Sequence, residues 1–135
     1  MMKPDDELRD AAFAAMENAY APYSRFRVGA ALRTATGEIF TGCNVENAAY
    51  GEALCAERVA VSAAVAQGMR AFEEIAVASE SDEPAPPCGS CRQTMSEFAP
   101  DLKITGYSKN GKKVEWRLGD LLPEAFALNY LRGKE

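Results

Sequence analysis

From residue 5 to residue 21 the apolar positions Leu8, Ala11, Ala12, Met16 and Ala19 recur every three or four residues. That spacing predicts an amphipathic helix, with Pro22 to end it. The pattern then changes. Residues 28–34 form a run of small apolar side chains suited to a buried strand, Thr36 and Gly37 supply a turn, and 39–45 returns as a second strand. Residues 56–67, rich in alanine and valine, read as a helix with Gly68 as its C-cap. A third strand follows at 74–79, then an acidic, proline-rich loop at 81–87, then a helix over 88–98 with Pro100 beyond its end. Asn110-Gly111, between strands at 103–107 and 114–118, is a strong hairpin signal. A last helix is expected over about 119–131, broken or restarted at Pro123. The order α-β-β-α-β-α-β-β-α predicts an α/β fold: a three-layer α/β/α sandwich around a mixed five-stranded sheet, in one domain spanning residues 1–135. The sheet should be mixed because its first two strands are joined by a hairpin while the middle strands cross over through helices.

Composition narrows the function classes. Hydrophobic residues make up 47% and charged residues 26%, which excludes a disordered chain. No apolar run approaches the roughly 20 residues that span a bilayer. The N-terminal stretch is acidic and lacks the apolar core of a signal peptide, so a cytoplasmic protein with no membrane partner is expected. The net charge of −5 and scattered basic residues argue against nucleic acid as a partner, because duplex affinity rests on clustered Lys and Arg. There is no histidine, so a metal site must use Cys, Asp or Glu, and acid–base work cannot fall to imidazole.

Four cysteines carry the chemistry: Cys43, Cys55, Cys88 and Cys91. In a reducing compartment Cys-x-x-Cys is a metal or redox motif rather than a disulfide framework. Cys55 and the pair Cys88 and Cys91 each stand near an expected helix start. Three thiolates leave one position of a tetrahedral zinc open, the catalytic arrangement, whereas a structural zinc takes a fourth side chain. Cys43 could be that fourth ligand, but Gly42 and Asn44 beside it suggest a packed strand end, so it is read as structural. Glu57, two residues after Cys55, stands where a proton shuttle belongs; outside this setting it would be an ordinary first-turn glutamate favouring the helix dipole. A zinc with three thiolates is net negative and a weak Lewis acid unless the charge is offset. Helix N-termini and Arg58, which could donate to the sulfurs, would offset it.

These residues resemble the small cytidine deaminases. Pro22-Tyr23-Ser24 with Phe26, Val28, Gly29, Ala30 and Ala31 is similar to that family's first strand. Gly-Cys-Asn-Val-Glu-Asn-Ala-Ala-Tyr at 42–50 is similar to its nucleoside-binding segment. Cys-Ala-Glu-Arg at 55–58 and Pro-Cys-Gly-Ser-Cys-Arg-Gln at 87–93 are similar to its metal motifs, and Leu121-Leu122-Pro123 with Phe126 to its C-terminal end. The likeness covers about residues 20 to 126. It implies hydrolytic deamination of cytidine and 2′-deoxycytidine to the uracil nucleosides and ammonia, in pyrimidine salvage. It implies one Zn2+ per subunit on Cys55, Cys88 and Cys91, hydroxide on that zinc attacking C4, and Glu57 as the catalytic proton shuttle. It also implies that Asn44 and Glu46 grip the ribose, that the Ala56 backbone N–H meets the pyrimidine carbonyl, and that Phe26 packs near the base. The small members are homotetramers with shared active sites, so Tyr50 is expected in an inter-subunit pocket and Phe126 at a neighbour's base. The stripe Ala60, Ala63 and Ala64 offers a small-residue surface for such helix contacts.

The chemistry of these residues fits independently. Asn44 and Glu46 are two apart on an extended segment and can face one way, and an amide with a carboxylate matches a hydroxyl that donates and accepts. Glu52 departs from the family pattern, where small or apolar residues are expected between 51 and 54; a carboxylate there could alter substrate range, but a side chain that points to solvent or pairs with an arginine is the favoured reading. Three other readings compete. An enzyme acting on a modified cytosine or a nucleoside antibiotic such as blasticidin S would have less use for Asn44 and Glu46. A zinc scaffold has no use for Glu57, and polynucleotide editing does not suit the acidic charge.

Overall fold

The computed structural model describes residues 3–128. Helix α1, Pro4–Met16, opens with proline in its first turn, followed by Asp5, Asp6 and Glu7 against the positive end of the helix. It stops well before Pro22. Tyr20 is drawn into a bridge with Val45, its N–H donating to Asn44 O at 3.0 Å while Glu46 N–H donates to Tyr20 O at 2.8 Å, so tertiary pairing overrides the helical pattern.

Strands β1 (Val28–Thr34) and β2 (Ile39–Cys43) form the expected hairpin, and β3 (Phe72–Ser79), β4 (Lys103–Tyr107) and β5 (Lys113–Arg117) complete the sheet. The order is β2-β1-β3-β4-β5. Only β3 and β4 run parallel. Helix α1 covers one face with Leu8, Ala12 and Met16 on Ala31, Ala76 and Ala78. Helices α2 (Ala56–Ala66) and α3 (Gly89–Ser96) cover the other, where Leu32, Ile75, Met95 and Ile104 form the larger core. This is the three-layer α/β/α sandwich expected.

Two further expectations need correction. The last helix, α4, is a single turn at Leu118–Leu121 that ends before Pro123, and residues 129–131 lie outside the described part. Ala60 and Ala64 are fully buried in the chain's own core, so they offer no surface to a second copy; the close approach they permit is between α2 and the sheet. A buried ion pair was not legible either: Arg33 meets Glu74 at 3.0 Å and donates to Pro4 O at 2.6 Å, fastening the start of α1. Among the described residues no helix is long and apolar enough to cross a membrane.

The topology brings the cysteine motifs together. The β2–α2 and β3–α3 connections both return to the end of the sheet where β1 begins and β3 ends. Val45 and Leu54 exchange backbone hydrogen bonds at 3.0 and 2.9 Å. That bridge holds residues 44–46 beside Cys55, so two segments distant in function share one cavity wall.

Candidate metal centre

Cys55 is the N-cap of α2 and Cys88 the N-cap of α3, and Cys91 lies in the first turn of α3. The Cys88 sulfur accepts from the Cys91 N–H at 3.4 Å, so a thiol fills the capping role that Ser or Asp usually takes. Sulfurs at two helix N-termini lie where free N–H groups favour the thiolate. The three Sγ atoms all lie within 4.8 Å of one another, with Cys55 and Cys88 at 3.8 Å and Cys88 and Cys91 at 3.2 Å. Tetrahedral zinc with Zn–S near 2.3 Å separates its sulfurs by roughly 3.8 Å, so the cluster fits zinc. Cys43 is outside it, half-buried at the end of β2.

The thiols perturb one another. Hydrogen bonding from Cys91, aided by Cys88 and the Arg58 charge and opposed by burial, brings the Cys55 thiol down to about 6. The same contact with Cys55, together with burial, holds Cys91 protonated far above an ordinary thiol. Glu57 follows in the first turn of α2 with 5% of its surface exposed. Burial pushes its carboxyl up to about 7, against the pull of its own backbone N–H.

Arg58 is placed differently from expectation. Its Nη2 donates to Ala53 O at 2.9 Å and its Nη1 reaches Ser90 Oγ at 3.5 Å, so its hydrogen bonds tie the approach to α2 onto α3 rather than ending on sulfur. Its Nε is buried and has no partner among the described residues.

The sulfurs and Glu57 share a cavity of about 290 Å³ with Asn44, Glu46, Phe26 and Ala56. That is at the small end of the roughly 300–1,000 Å³ usual for ligand pockets. Among the described residues no lysine or arginine lines it, so none of them matches a phosphate there. The Ala56 N–H, at the first position of α2, has no intrahelical partner. Asn44 accepts from Val28 N–H at 2.9 Å and donates to Phe26 O at 2.8 Å, which leaves one amide hydrogen and one lone pair free. Tyr50 and Phe126 do not enter this cavity. Tyr50 is 80% exposed and packs edge-on against Tyr23 at 6.4 Å, beside a neighbouring hollow, and Phe126 is 62% exposed. Glu52 is exposed in the short 3-10 helix Tyr50–Glu52.

Sequence reasoning missed the floor and roof of the cavity. Val77 and Ser79 face it from β3, two residues apart, a parity that becomes informative only once the register with Val28 is known. Ala85 and Pro86 come from the proline-rich loop that delivers Cys88.

Residues 2–106 match the family described as the cytidine and deoxycytidylate deaminase zinc-binding region. The chain belongs to that family. A cytidine deaminase of Halalkalibacterium halodurans is 47% identical over 116 residues, covering 85% of this chain and 88% of that protein. The crystal structure of cytidine deaminase from Burkholderia pseudomallei superposes with a TM-score of 0.86 at 51% identity, over 89% of this chain and 97% of the other. A blasticidin-S deaminase of Bacillus cereus is 34% identical, covering 78% of this chain and 81% of its own. The protein is thus an enzyme of the deaminase family, its fold is that of the solved cytidine deaminases, and its cofactor is zinc.

Proposed function

We propose that this enzyme hydrolyses cytidine and 2′-deoxycytidine to the uracil nucleosides and ammonia, as a single-domain cytoplasmic protein of pyrimidine salvage. The observation that carries the reading is one cavity lined by three sulfurs, a buried carboxyl, an amide and a second carboxylate, with no lysine or arginine among the described residues that line it. That suits a neutral nucleoside and disfavours a nucleotide.

Cys55, Cys88 and Cys91 would hold zinc, which supplies the Lewis acidity that makes water nucleophilic near neutral pH. Glu57 is the proton carrier. Its carboxyl, raised by burial to about 7, takes a proton from the attacking water and delivers it to ring N3, then takes the second proton from the C4 hydroxyl as that becomes the carbonyl and gives it to the departing amine. The water oxygen becomes the C4 carbonyl oxygen and the amine leaves as ammonia, so the reaction balances without redox. The Ala56 N–H donates to the pyrimidine carbonyl and fixes the ring against α2. Asn44 and Glu46 meet the sugar hydroxyls, and Phe26 packs against the base. Arg58 acts on the sulfurs through space, by its charge on Cys55.

The assembly is read as a homotetramer with shared sites. Tyr20, Tyr23, Tyr50, Leu54 and Phe126 leave large apolar surface exposed, which a neighbouring copy would cover. Sedimentation equilibrium tests it, and a monomer with full activity would remove both the tetramer and the roles of Tyr50 and Phe126.

The central experiment measures ammonia release from cytidine by zinc-loaded protein, beside Glu57→Gln. Turnover in the wild type, with a large loss in the variant at equal zinc content, supports both reaction and shuttle. Turnover of blasticidin S but not of cytidine would replace the substrate and keep the chemistry.

A further inference from the structure

We propose that Ser24 is a positioning residue that couples the sugar end of the cavity to the wall that packs the base, holding both with one hydroxyl. The inference rests on the roles given above to Glu46 and Phe26.

Three donors from one turn converge on the Glu46 carboxylate. Tyr23 N–H and Ser24 N–H reach Oε1 at 2.9 and 3.1 Å, and the Ser24 hydroxyl donates to Oε2. The same hydroxyl oxygen accepts from Phe26 N–H at 3.0 Å. Between them Arg25 is held at φ 57, a left-handed conformation that a residue with a Cβ adopts only when its surroundings enforce it. The turn is anchored on the far side by Arg25 N–H on Ala21 O at 2.9 Å. Glu46 is anchored in turn by the bridge between Tyr20 and Val45.

A carboxylate offers about four acceptor positions. The turn occupies three here, so one position on Oε2 remains, and its direction is set by Ser24. A sugar hydroxyl meeting Glu46 must therefore donate, along a line that Ser24 fixes. Removing the hydroxyl frees the carboxylate to rotate and leaves the Phe26 amide without its acceptor, so sugar and base contacts loosen together. Both contacts are remote from C4 and equal in ground and transition states, so the loss falls on KM rather than kcat.

The test uses zinc-loaded wild type, Ser24→Ala, Ser24→Thr, Glu46→Ala and the Ser24→Ala/Glu46→Ala double variant with cytidine. Ser24→Ala should raise KM about tenfold with kcat within about twofold, and Ser24→Thr should restore most of it. The double variant should lose less than the product of the two single losses, because Ser24 acts largely through Glu46. An unchanged KM, a loss carried by kcat, or full additivity overturns the proposal. Amide exchange read by NMR gives an arm independent of turnover: Ser24→Ala should expose the Phe26 amide and weaken protection at Tyr23, and unchanged protection also overturns it. Wild type inactive on cytidine with zinc bound would instead overturn the substrate assignment, leaving the exchange arm to judge Ser24.

Discussion

The two faces of the sheet use one device for different ends. On the face under α1, Gly29 stands where a Cβ would lie 2.1 Å from Ala12 O and 2.4 Å from Met16 N. On the opposite face, Gly42 stands where a Cβ would lie 2.5 Å from both Ala56 O and Ala60 N. Each glycine lets a helix backbone settle onto the strand. Under α1 the gain is core: Leu8, Ala12 and Met16 close over three alanines, and the buried Arg33–Glu74 pair fastens the helix start. Under α2 the same approach carries Cys55, Ala56 and Glu57 into the cavity, including a carboxyl whose burial opposes ionisation. One face stores stability, while the other spends some of it on chemistry.

The sharpest contrast sets Glu57→Gln against Leu8→Ala. Glu57→Gln should lower kcat by about 10³- to 10⁴-fold with zinc retained, the range of a general acid–base group. Leu8→Ala should lose about 2–5 kcal/mol in urea denaturation, as buried leucines do, and leave kcat unchanged well below its melting temperature. A fall in kcat for Leu8→Ala at equal zinc content would show that the faces are not separable.

The pH dependence of zinc-free protein sharpens the same point. The Glu57 carboxyl is raised in the fold, from 4.5 to about 7, so its stabilising contribution is complete below about 4.5 and is lost as pH rises through 7. Glu57→Gln removes that loss. Its stability advantage over wild type should be absent near pH 4 and grow to at most about 3 kcal/mol by pH 8. The Cys55 thiol, lowered to about 6, works in the opposite direction and is present in both proteins, but its charge also raises Glu57, so it cancels only in part from the difference. Parallel stability curves would mean that the carboxyl is not buried at a cost.

The glycines test the shared device. Gly29→Ala and Gly42→Ala should each lose about 1–3 kcal/mol, because the closest clash in both is with backbone and cannot be relieved by a side-chain rotation. Only Gly42→Ala should also lower kcat/KM, by up to about 10²-fold, since it shifts the turn of α2 that carries Glu57. Equal activity loss from both would break the comparison.

How much of this was legible depends on how local the cause is. The β1 and β4 bounds match the runs read at 28–34 and 103–107, because a small-residue run and an Asn-Gly hairpin signal act over a few residues. The sulfur cluster was legible because each motif is also a helix start. The end of α1 was not, since Tyr20 leaves the helical pattern to pair with Val45, 25 positions away in a chain where nothing local marks the change. Nor were the seats at Gly29 and Gly42 or the hold of Ser24 on Glu46, which exist only once register and tertiary contacts are set. Arg58 was legible as a residue and not as a geometry: the spacing put it near sulfur, and the fold gave two of its nitrogens to Ala53 and Ser90.

That geometry makes Arg58→Ala the smallest and most discriminating change on the α2 face. The guanidinium does two things at once. Its charge favours the Cys55 thiolate, and its hydrogen bonds tie Ala53, which lines the cavity, to Ser90 in the first turn of α3. Removing it should weaken zinc about tenfold in competition with a chelator, as loss of a supporting group around metal ligands does, and lower kcat by a similar factor with the fold intact. Arg58→Lys separates the two parts, because an ammonium keeps the charge and cannot reproduce the planar fork. Zinc affinity restored by lysine would assign the effect to charge at the sulfurs. Affinity that stays low would assign it to the tie between the two helix N-termini, and unchanged zinc and turnover in both variants would reduce Arg58 to packing.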